Sequence, residues 1–351
     1  MRVPAPVLHD LAAALFRAGG SDPEEADAVA AHLVEANLAG HDSHGVIRVP
    51  KYLDWVDAGL LLPNQHVTLA RDLGALVVAD GGFGYGQVIG HEAMELMASR
   101  ARQHGICALA LRNSGHLGRI GAWAEQLAAA GLVSIHFVNT SGFGILVAPF
   151  GATDRRLSAN PIAAGAPGPD GPIILDIATS AIAEGKIQVL RNKGEALPPG
   201  LVLDGAGQPT RDPEAFYADP AGAILPFGGH KGSGLSIFCE ILAGALTGGG
   251  SSHPEHPTAP RLVNNMLSLA FDPAATTDGF APDVARLADW VRSARRADPA
   301  TPVLLPGELE RHTRAEREHD GIPVDTATWS ALRAAAERRG VPAPAETVDA
   351  R

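Results

Sequence analysis

The sequence predicts an α/β protein, and three observations support this fold class. Apolar residues make up 46% of the 351 residues and charged residues 19%, which is enough apolar material for a substantial core. From about residue 75 onward, short apolar runs typical of strands alternate with segments whose apolar residues recur at helical spacing. Residues 1–75, by contrast, show only the helical spacing. We therefore expect a helical segment followed by layered strands and helices.

Three helices and one polar turn are predicted at the start of the chain. Residues 7–18 carry apolar side chains on a single face, which indicates an amphipathic helix. The run 21–24, Ser-Asp-Pro-Glu, has the pattern of a capping box and predicts a second helix that ends at Gly40. A polar turn at 41–48 precedes a third helix, which ends at Gly59.

Strands and helices alternate along the rest of the chain. Apolar runs of strand length predict strands, and segments with helical spacing predict helices. The predicted strands are 75–80, 106–111, 132–138, 173–175 and 266–271, and the predicted helices are 88–102, 121–127, 232–246, 285–297, 313–317 and 326–338.

One candidate site is the polar turn predicted at 112–118, between a strand and a helix. His116 lies there between Gly115 and Gly118, and glycines allow a ligand to approach the backbone closely. An imidazole gains or loses a proton near neutral pH, so His116 is a candidate acid or base. The ordinary alternative for a histidine in a turn is a surface residue without a chemical role.

A second candidate site has the same character and contains His44 and Arg48. If a helix begins near Gly45, the spacing of four places both side chains on one face. A guanidinium binds a carboxylate through two nitrogens, and an imidazole transfers protons, so the pair suits a small 2-oxo or 2-hydroxy acid. The alternative is a helix capped by Ser43, with a solvated histidine and arginine.

Two further stretches have the chemistry of nucleotide binding. The glycine-rich run 226–234 contains His230-Lys231 and leads into a helix, a suitable anion cradle that could also be a simple helix cap. The run 176–180, Asp-Ile-Ala-Thr-Ser, offers a carboxylate for ribose and hydroxyls for phosphate, or is an ordinary strand exit. Neither a P-loop nor the G-x-G-x-x-G fingerprint occurs, so a dinucleotide would bind by other means.

Composition excludes several classes of partner. The chain has 28 basic and 39 acidic residues, a net charge of −11, which disfavours nucleic acid and membrane surfaces but allows a small anionic substrate beside local cations. Cys107 and Cys239 lie in apolar runs, as expected of free thiols in a soluble cytoplasmic protein, although one disulfide stays possible. The run 253–256, His-Pro-Glu-His, lacks further ligands at fixed spacing, so no metal is expected.

Taken in order, these stretches resemble the malate/L-lactate dehydrogenase family, NAD(P)-dependent oxidoreductases that lack a Rossmann fold. Members act on malate, lactate, ureidoglycolate, sulfolactate, diketogulonate and cyclic imino acids. The likeness runs from about residue 5 to residue 340. It is carried by Asp42-Ser43-His44-Gly45, Arg48, Tyr52, Asn113-Ser114, His116, Gly118, Asn160-Pro161, Asp176, Ala178-Thr179-Ser180, Gly207, Pro209-Thr210, 226–234, Asn264-Asn265 and Pro306-Gly307-Glu308.

The resemblance implies a fold, an assembly and a set of site residues. It implies a cofactor domain at 76–295 with a mixed or antiparallel sheet, a helical domain formed by 1–75 with 296–351, and a homodimer. His116 or His44 would be the proton donor, and Arg48 would hold the substrate carboxylate. NAD or NADP would be lined by Asp176, Ile177, Ala178, Thr179, Ser180, Ile182, His230, Lys231, Pro306, Gly307 and Glu308.

The implied activity is the interconversion of a small 2-hydroxy acid and its 2-oxo acid by hydride transfer. We expect an imidazolium to stabilise and protonate the alkoxide that forms when hydride reaches the carbonyl carbon. Two alternatives stay open, reduction of the C=N bond of a cyclic imino acid and a homologue that binds a nucleotide without catalysis. The joint presence of His44, Arg48, His116 and Lys231 argues against the second alternative.

Overall fold

The computed structural model describes residues 1–254 and 261–344, and all statements about the fold refer to these residues. The helices are α1 (Ala5–Ala18), α2 (Pro23–Leu38), α3 (Val49–Asp57), α4 (Gly86–His104), α5 (Gly121–Ala129), α6 (Glu184–Lys193), α7 (Pro213–Tyr217), α8 (His230–Cys239), α9 (Phe280–Arg292), α10 (Glu308–Asp320) and α11 (Thr326–Arg338). The strands are β1 (Arg2–Val3), β2 (Thr68–Asp72), β3 (Leu76–Asp80), β4 (Ile106–Ser114), β5 (Val133–Gly142), β6 (Ile162–Ala166), β7 (Ile173–Ile177), β8 (Val202–Leu203), β9 (Pro209–Thr210), β10 (Ala223–Ile224), β11 (Leu262–Phe271) and β12 (Ile322–Pro323).

The main sheet is mixed and mostly antiparallel, as expected. Its strand order is β2-β3-β4-β11-β5-β6-β7. Of the strand pairs described, β3 with β4 is parallel and the others in this sheet are antiparallel. Helix α4 is the crossover between β3 and β4, since parallel neighbours cannot be joined by a hairpin. The α/β class and the absence of a doubly wound parallel sheet are therefore confirmed.

The two ends of the chain share one buried core. Leu8 and Phe16 of α1 and Tyr52 of α3 belong to the same apolar cluster as Trp329 and Leu332 of α11. The short pair β1–β12 ties the two termini together beside this cluster. A second cluster lies under the main sheet, and a third packs around α6 and β8. The domain boundaries at residues 75/76 and 295/296 stay a prediction.

The N-terminal segment is not purely helical, and the predicted capping box is wrong in detail. Strands β1 and β2 lie within residues 1–75. All five residues of β2 are exposed at the sheet edge, so the strand has no apolar alternation that a sequence pattern could detect. The N-cap of α2 is Asp22, whose carboxylate accepts a hydrogen bond from the backbone N–H of Glu25, rather than Ser21.

Other boundaries also differ from the predicted ones, and those of β4, α8 and α9 are examples. Strand β4 continues through Ser114, because β11 pairs with its polar end, so part of the predicted turn is strand. Helix α8 begins at His230 and passes into a π-helical segment, Glu240–Ala245, instead of running as one α-helix to 246. Helix α9 begins at Phe280, five residues before the predicted start at 285.

The structure bears on three expectations from the sequence, which concern membrane-spanning helices, metal-binding groups and the two cysteines. Across residues 1–254 and 261–344, no helix combines the length and apolar character needed to cross a bilayer. Within the same ranges, no three His, Cys, Asp or Glu side chains are grouped as a metal ion would require. Residues 255 and 256 of the weak metal motif lie outside the described residues. Cys107 and Cys239 are free and buried, which confirms the expectation of unpaired thiols.

Acid is expected to destabilise the fold through His136. This β5 residue is fully buried, with Nδ1 2.7 Å from Ser268 Oγ and Nε2 3.0 Å from Ser134 Oγ. Burial lowers the pKa of His136 to about 3, below its ordinary value of 6.5. The unfolded state therefore binds more protons below pH 6.5, and the stabilisation present above that pH is lost as pH falls towards 3.

At pH 5 this loss amounts to about 2 kcal/mol. Denaturant unfolding at pH 8 and pH 5 measures it, with His136→Gln as the matched variant that cannot titrate. The wild type should lose more unfolding free energy than the variant between these pH values. An equal loss in the two proteins would contradict this origin of acid sensitivity.

Candidate active site

The His44–Arg48 segment folds as two short turns rather than as the start of a helix. Residues Asp42–His44 and Val46–Arg48 each form one turn of 3-10 helix, and α3 begins only at Val49. Gly45 separates the turns in an extended conformation, and a Cβ there would lie 2.1 Å from the Asn37 side chain. The expectation of a helix beginning near Gly45 is therefore wrong, and so is the cap by Ser43.

Asn37 of α2 holds this segment in place. Its side-chain oxygen accepts a hydrogen bond from the backbone N–H of Val46 at 2.9 Å, and its nitrogen donates to Asp42 at 2.7 Å. The Arg48 side chain folds back, with Nε donating to the Ser43 carbonyl at 2.6 Å. Nη1 and Nη2 of Arg48 have no hydrogen bond or ion pair with the described residues, so they are available to a carboxylate.

The loop that carries His116 is fixed by close backbone packing and by two asparagines of β11. A Cβ on Gly86 would lie 2.3 Å from the His116 carbonyl oxygen, so α4 can begin against this loop only with glycine there. Asn264 accepts a hydrogen bond from the backbone N–H of Leu117 at 2.9 Å, and Asn265 accepts one from Asn113 at 3.0 Å. The loop is thus clamped on both sides of His116.

The structure brings His44 and His116 together. Their rings are stacked with centroids 5.5 Å apart and planes 12° apart, although the residues are 72 positions apart in the sequence. The charge of Arg48 acts on both rings. The three side chains that the sequence suggested as a site therefore belong to one cluster.

The surroundings of both histidines favour the neutral imidazole over the imidazolium. Burial, followed by the neighbouring Arg48 charge, lowers the pKa of His44 to about 3 and holds that of His116 well below 6.5. An imidazolium that protonates the alkoxide during the reaction stays a prediction, and the free protein favours the neutral form of both rings. The physical reason is that a buried cluster containing a guanidinium disfavours a second positive charge.

Two further residues contact His116. The Tyr52 hydroxyl of α3 lies 2.6 Å from His116 Nδ1, and Gln87 of α4 donates to both the Tyr52 oxygen and the His116 carbonyl, each at 3.1 Å. Tyr52 is 1% exposed and Gln87 2% exposed. Tyr52 is part of the family resemblance, whereas nothing in the sequence pattern pointed to Gln87.

The three candidate cofactor segments are adjacent around β7. The Asp176–Ile182 run meets the glycine-rich run through the Phe227 N–H, which donates to the Thr179 carbonyl at 3.0 Å. Pro306 accepts a hydrogen bond from the backbone N–H of Ile174 at 3.0 Å. A Cβ on Gly185, three residues after Ile182, would lie 2.6 Å from Ser43, so the start of α6 touches the His44 turn. The candidate cofactor segments and the histidine cluster are therefore neighbours.

Some of these side chains already have partners. Asp176 lies within β7 and accepts a hydrogen bond from the Gly121 N–H at the start of α5, and burial raises its pKa. The hydroxyls of Thr179 and Ser180 donate to the carbonyls of Ala159 and Ile182. These two hydroxyl protons are therefore not available to a phosphate, contrary to one interpretation of the sequence.

The other candidate cofactor residues differ in accessibility. Gly229 has φ +62° and precedes His230 and Lys231, both exposed, at the start of α8. Ile182 belongs to the third apolar cluster. Gly307 has φ +90°, and Glu308 accepts a hydrogen bond from the Leu305 N–H and forms an ion pair with Arg292. The start of α8 is thus the part most open to an anion.

Comparison with known proteins gives one family. The family model described as malate/L-lactate dehydrogenase matches residues 3–333. Hydroxycarboxylate dehydrogenase B of Escherichia coli K12 is 45% identical over 352 aligned residues, covering 97% of this chain and 95% of that protein. A Delta(1)-pyrroline-2-carboxylate/Delta(1)-piperideine-2-carboxylate reductase of Pseudomonas syringae pv. tomato is 39% identical, covering 76% and 78%. The solved structure of malate dehydrogenase from Pyrococcus horikoshii superposes with a TM-score of 0.87 at 30% identity, covering 98% and 97%.

Proposed function

The chain belongs to the malate/L-lactate dehydrogenase family, and from this premise we propose that it interconverts a small 2-hydroxy acid and its 2-oxo acid with NAD or NADP. The observation that carries the proposal is the cluster of His44, His116 and Arg48, in which a cation for a carboxylate lies beside two stacked imidazoles. Relatives named as dehydrogenases of hydroxy acids support the same reaction class.

In the proposed reaction, Arg48 binds the substrate carboxylate through Nη1 and Nη2. This contact orients the neighbouring carbonyl, because a bidentate pair fixes direction as well as position. His116 lies against the carbonyl oxygen and donates a hydrogen bond as negative charge develops there. His44 stacks on the ring of His116.

The residues around β7 fit a nicotinamide dinucleotide. Asp176 accepts the Gly121 N–H with Oδ2, which leaves Oδ1 for a ribose hydroxyl. The exposed start of α8, with Lys231, offers backbone N–H groups and a positive charge for phosphate. When bound, the nicotinamide supplies or accepts the hydride. We propose that Ile177, Ala178, Ile182, His230 and Pro306–Glu308 line the same cleft.

An assay of NADH and NADPH oxidation at 340 nm tests the function. The purified protein should oxidise at least one cofactor in the presence of one of pyruvate, oxaloacetate or other short 2-oxo acids, with kcat/KM above about 10⁴ M⁻¹s⁻¹ for the best substrate. Titration with both cofactors distinguishes NAD from NADP specificity. Oxidation of neither cofactor with any 2-oxo or imino acid, despite saturable cofactor binding, would support the homologue without catalysis instead.

A second candidate reaction is reduction of the C=N bond of a cyclic imino acid. It is favoured by the Pseudomonas syringae relative, whose name states that activity. Such a substrate carries the same carboxylate for Arg48, and the same imidazole would face nitrogen instead of oxygen. Including a five-membered and a six-membered cyclic imino acid in the panel decides between the two reactions by their kcat/KM values.

We propose a cytoplasmic homodimer as the functional form. Both thiols are free and buried, which suits a reducing compartment. Helix α8 and its π-helical continuation expose a row of large apolar side chains, and an exposed apolar row of this kind is typical of a subunit contact. The row consists of Leu235, Ile237, Phe238, Ile241 and Leu246.

A further inference from the structure

The hydrogen bonds behind His116 form a chain whose direction can be worked out. Gln87 Nε2 lies 3.1 Å from the backbone carbonyl of His116, which can only accept, so the amide nitrogen must face it. The same nitrogen donates its other hydrogen to the Tyr52 oxygen, also at 3.1 Å. Gln87 thereby fixes Tyr52 as an acceptor on that side.

Tyr52 must then donate its own proton to His116. Within the part of the chain that the structure describes, the Tyr52 hydroxyl has two hydrogen-bond partners. Gln87 Nε2 is a donor, so His116 Nδ1, 2.6 Å away, is the partner that can accept the Tyr52 proton. Nδ1 is therefore unprotonated, and a neutral ring carries its hydrogen on Nε2. No hydrogen bond of the described residues occupies Nε2, so this nitrogen is free to meet a substrate.

We propose that Tyr52 is the source of the proton in carbonyl reduction and that neutral His116 passes it on, with Gln87 holding Tyr52 in the donating orientation. This inference rests on the proposed function, because it assigns steps to the same site. Tyr52 and Gln87 act through His116 and are positioning residues, whereas His116 is the group that touches the substrate.

The step balances without an imidazolium. Once hydride has reached C2 of the 2-oxo acid, the π pair of the C=O bond moves to oxygen, which takes the hydrogen of His116 Nε2. Nδ1 takes the proton of Tyr52 Oη at the same time, so the ring stays neutral and changes tautomer. The negative charge ends on the Tyr52 oxygen, beside the Arg48 charge and the Gln87 N–H, until water returns a proton after product release.

The electrostatics of the cluster favour this route over an imidazolium. The charged and titratable groups that face His116 are Arg48, His44 and His32, and together with burial they lower its pKa. Tyr52 faces Arg48 and Tyr85. Burial raises the pKa of Tyr52 to about 12, because its effect exceeds the lowering effects of the Arg48 charge and the Gln87 hydrogen bond. A phenol of this strength can still protonate an alkoxide, which is the stronger base.

The test compares the pH dependence of single-turnover reduction between pH 6 and 9 in three proteins. The wild-type rate should be flat, because Tyr52 stays protonated across this range. Tyr52→Phe keeps the ring but removes the proton source, so the rate at pH 8 should be roughly 10- to 100-fold lower than in the wild type. The rate of this variant should also decrease tenfold for each unit of rising pH, because it depends on the fraction of His116 that is protonated. Tyr85→Phe is the matched control, since Tyr85 is equally buried at 1% exposed and packs on Tyr52 with centroids 6.1 Å apart.

The Tyr85→Phe profile should be flat, as in the wild type. The relay is overturned if Tyr52→Phe keeps the wild-type rate and profile, or if the wild-type rate itself falls tenfold per pH unit above a histidine pKa. Loss of rate in both tyrosine variants alike would show a packing effect and would also overturn it.

A second readout needs no turnover and separates this inference from the proposed function. Nitrogen NMR of the ¹⁵N-histidine-labelled protein, with His116 assigned by the His116→Asn variant, reports which ring nitrogen carries hydrogen. We expect the Nε2–H tautomer in the wild type and in Tyr85→Phe, and a changed tautomer balance in Tyr52→Phe. An Nδ1–H ring in the wild type would overturn the relay even if the protein reduces 2-oxo acids.

Discussion

Replacing His116 with alanine is expected to lower kcat by about 10²- to 10⁴-fold, the usual contribution of a positioned proton-transfer group. Nδ1 of His116 lies 2.6 Å from the Tyr52 hydroxyl, and its Nε2 has no hydrogen bond with the described residues. Cofactor affinity should be unchanged, because the candidate cofactor segments around β7 do not include this loop. Single-turnover kinetics gives the rate, and quenching of protein fluorescence by NAD(P)H gives the affinity.

His44→Ala is the control for this prediction, because the two rings are stacked and the sequence alone left both as proton donors. The Nδ1 atom of His44 lies 3.0 Å from the hydroxyl of Ser43, its sequence neighbour, and not near a buried hydroxyl of another helix. We therefore expect His44→Ala to lose less rate than His116→Ala. A larger loss in His44→Ala would reverse the assignment of the two residues.

Replacing Arg48 with alanine is expected to raise KM for the 2-oxo acid about 10- to 100-fold. Hydrogen bonds to a charged group contribute about 1.5–3 kcal/mol, and each 1.4 kcal/mol corresponds to a tenfold change in affinity. Steady-state kinetics at saturating cofactor measures the effect. The cofactor KM should stay within about twofold, since Arg48 is proposed to bind the substrate carboxylate alone.

Arg48→Lys is the matched variant, because it keeps the positive charge but loses the planar fork. It should recover only part of the affinity if the contact with the carboxylate is bidentate. An unchanged KM in Arg48→Ala would contradict the carboxylate role. In that case Arg48 would serve chiefly to fold the turn, through the bond from its Nε to the Ser43 carbonyl at 2.6 Å.

Much of the site could be predicted from the sequence because its parts carry local signals. His116 lies between glycines after an apolar strand, and His44 and Arg48 follow a glycine that ends a helical pattern. Such signals locate a polar turn, but they do not give its conformation. The segment 42–48 forms 3-10 turns because Asn37, on the preceding helix, bonds to Val46 and Asp42 across Gly45.

The role of Gln87 and the π-helical segment could not be predicted from the sequence, because both depend on contacts between residues that are distant in the chain. Gln87 is one polar residue near the start of a helix, and its role appears only when Tyr52, 35 positions earlier, lies against it. The π-helical segment after α8 begins at Glu240, a buried carboxylate bonded to Asn139 and Asn160, which are 101 and 80 positions away. No periodicity in the sequence records partners at such separations.

The proposed reaction requires that Arg48, His44 and His116 meet at one carbonyl group beside the nicotinamide. A crystal structure with NAD(P)H and oxamate, an unreactive 2-oxo acid analogue, tests this requirement most directly. We expect the carboxylate of oxamate on Arg48 Nη1 and Nη2 and its amide carbonyl oxygen within about 3.2 Å of His116 Nε2. Oxamate bound elsewhere in a fully occupied cofactor complex, with Arg48 and His116 facing separate cavities, would contradict the account.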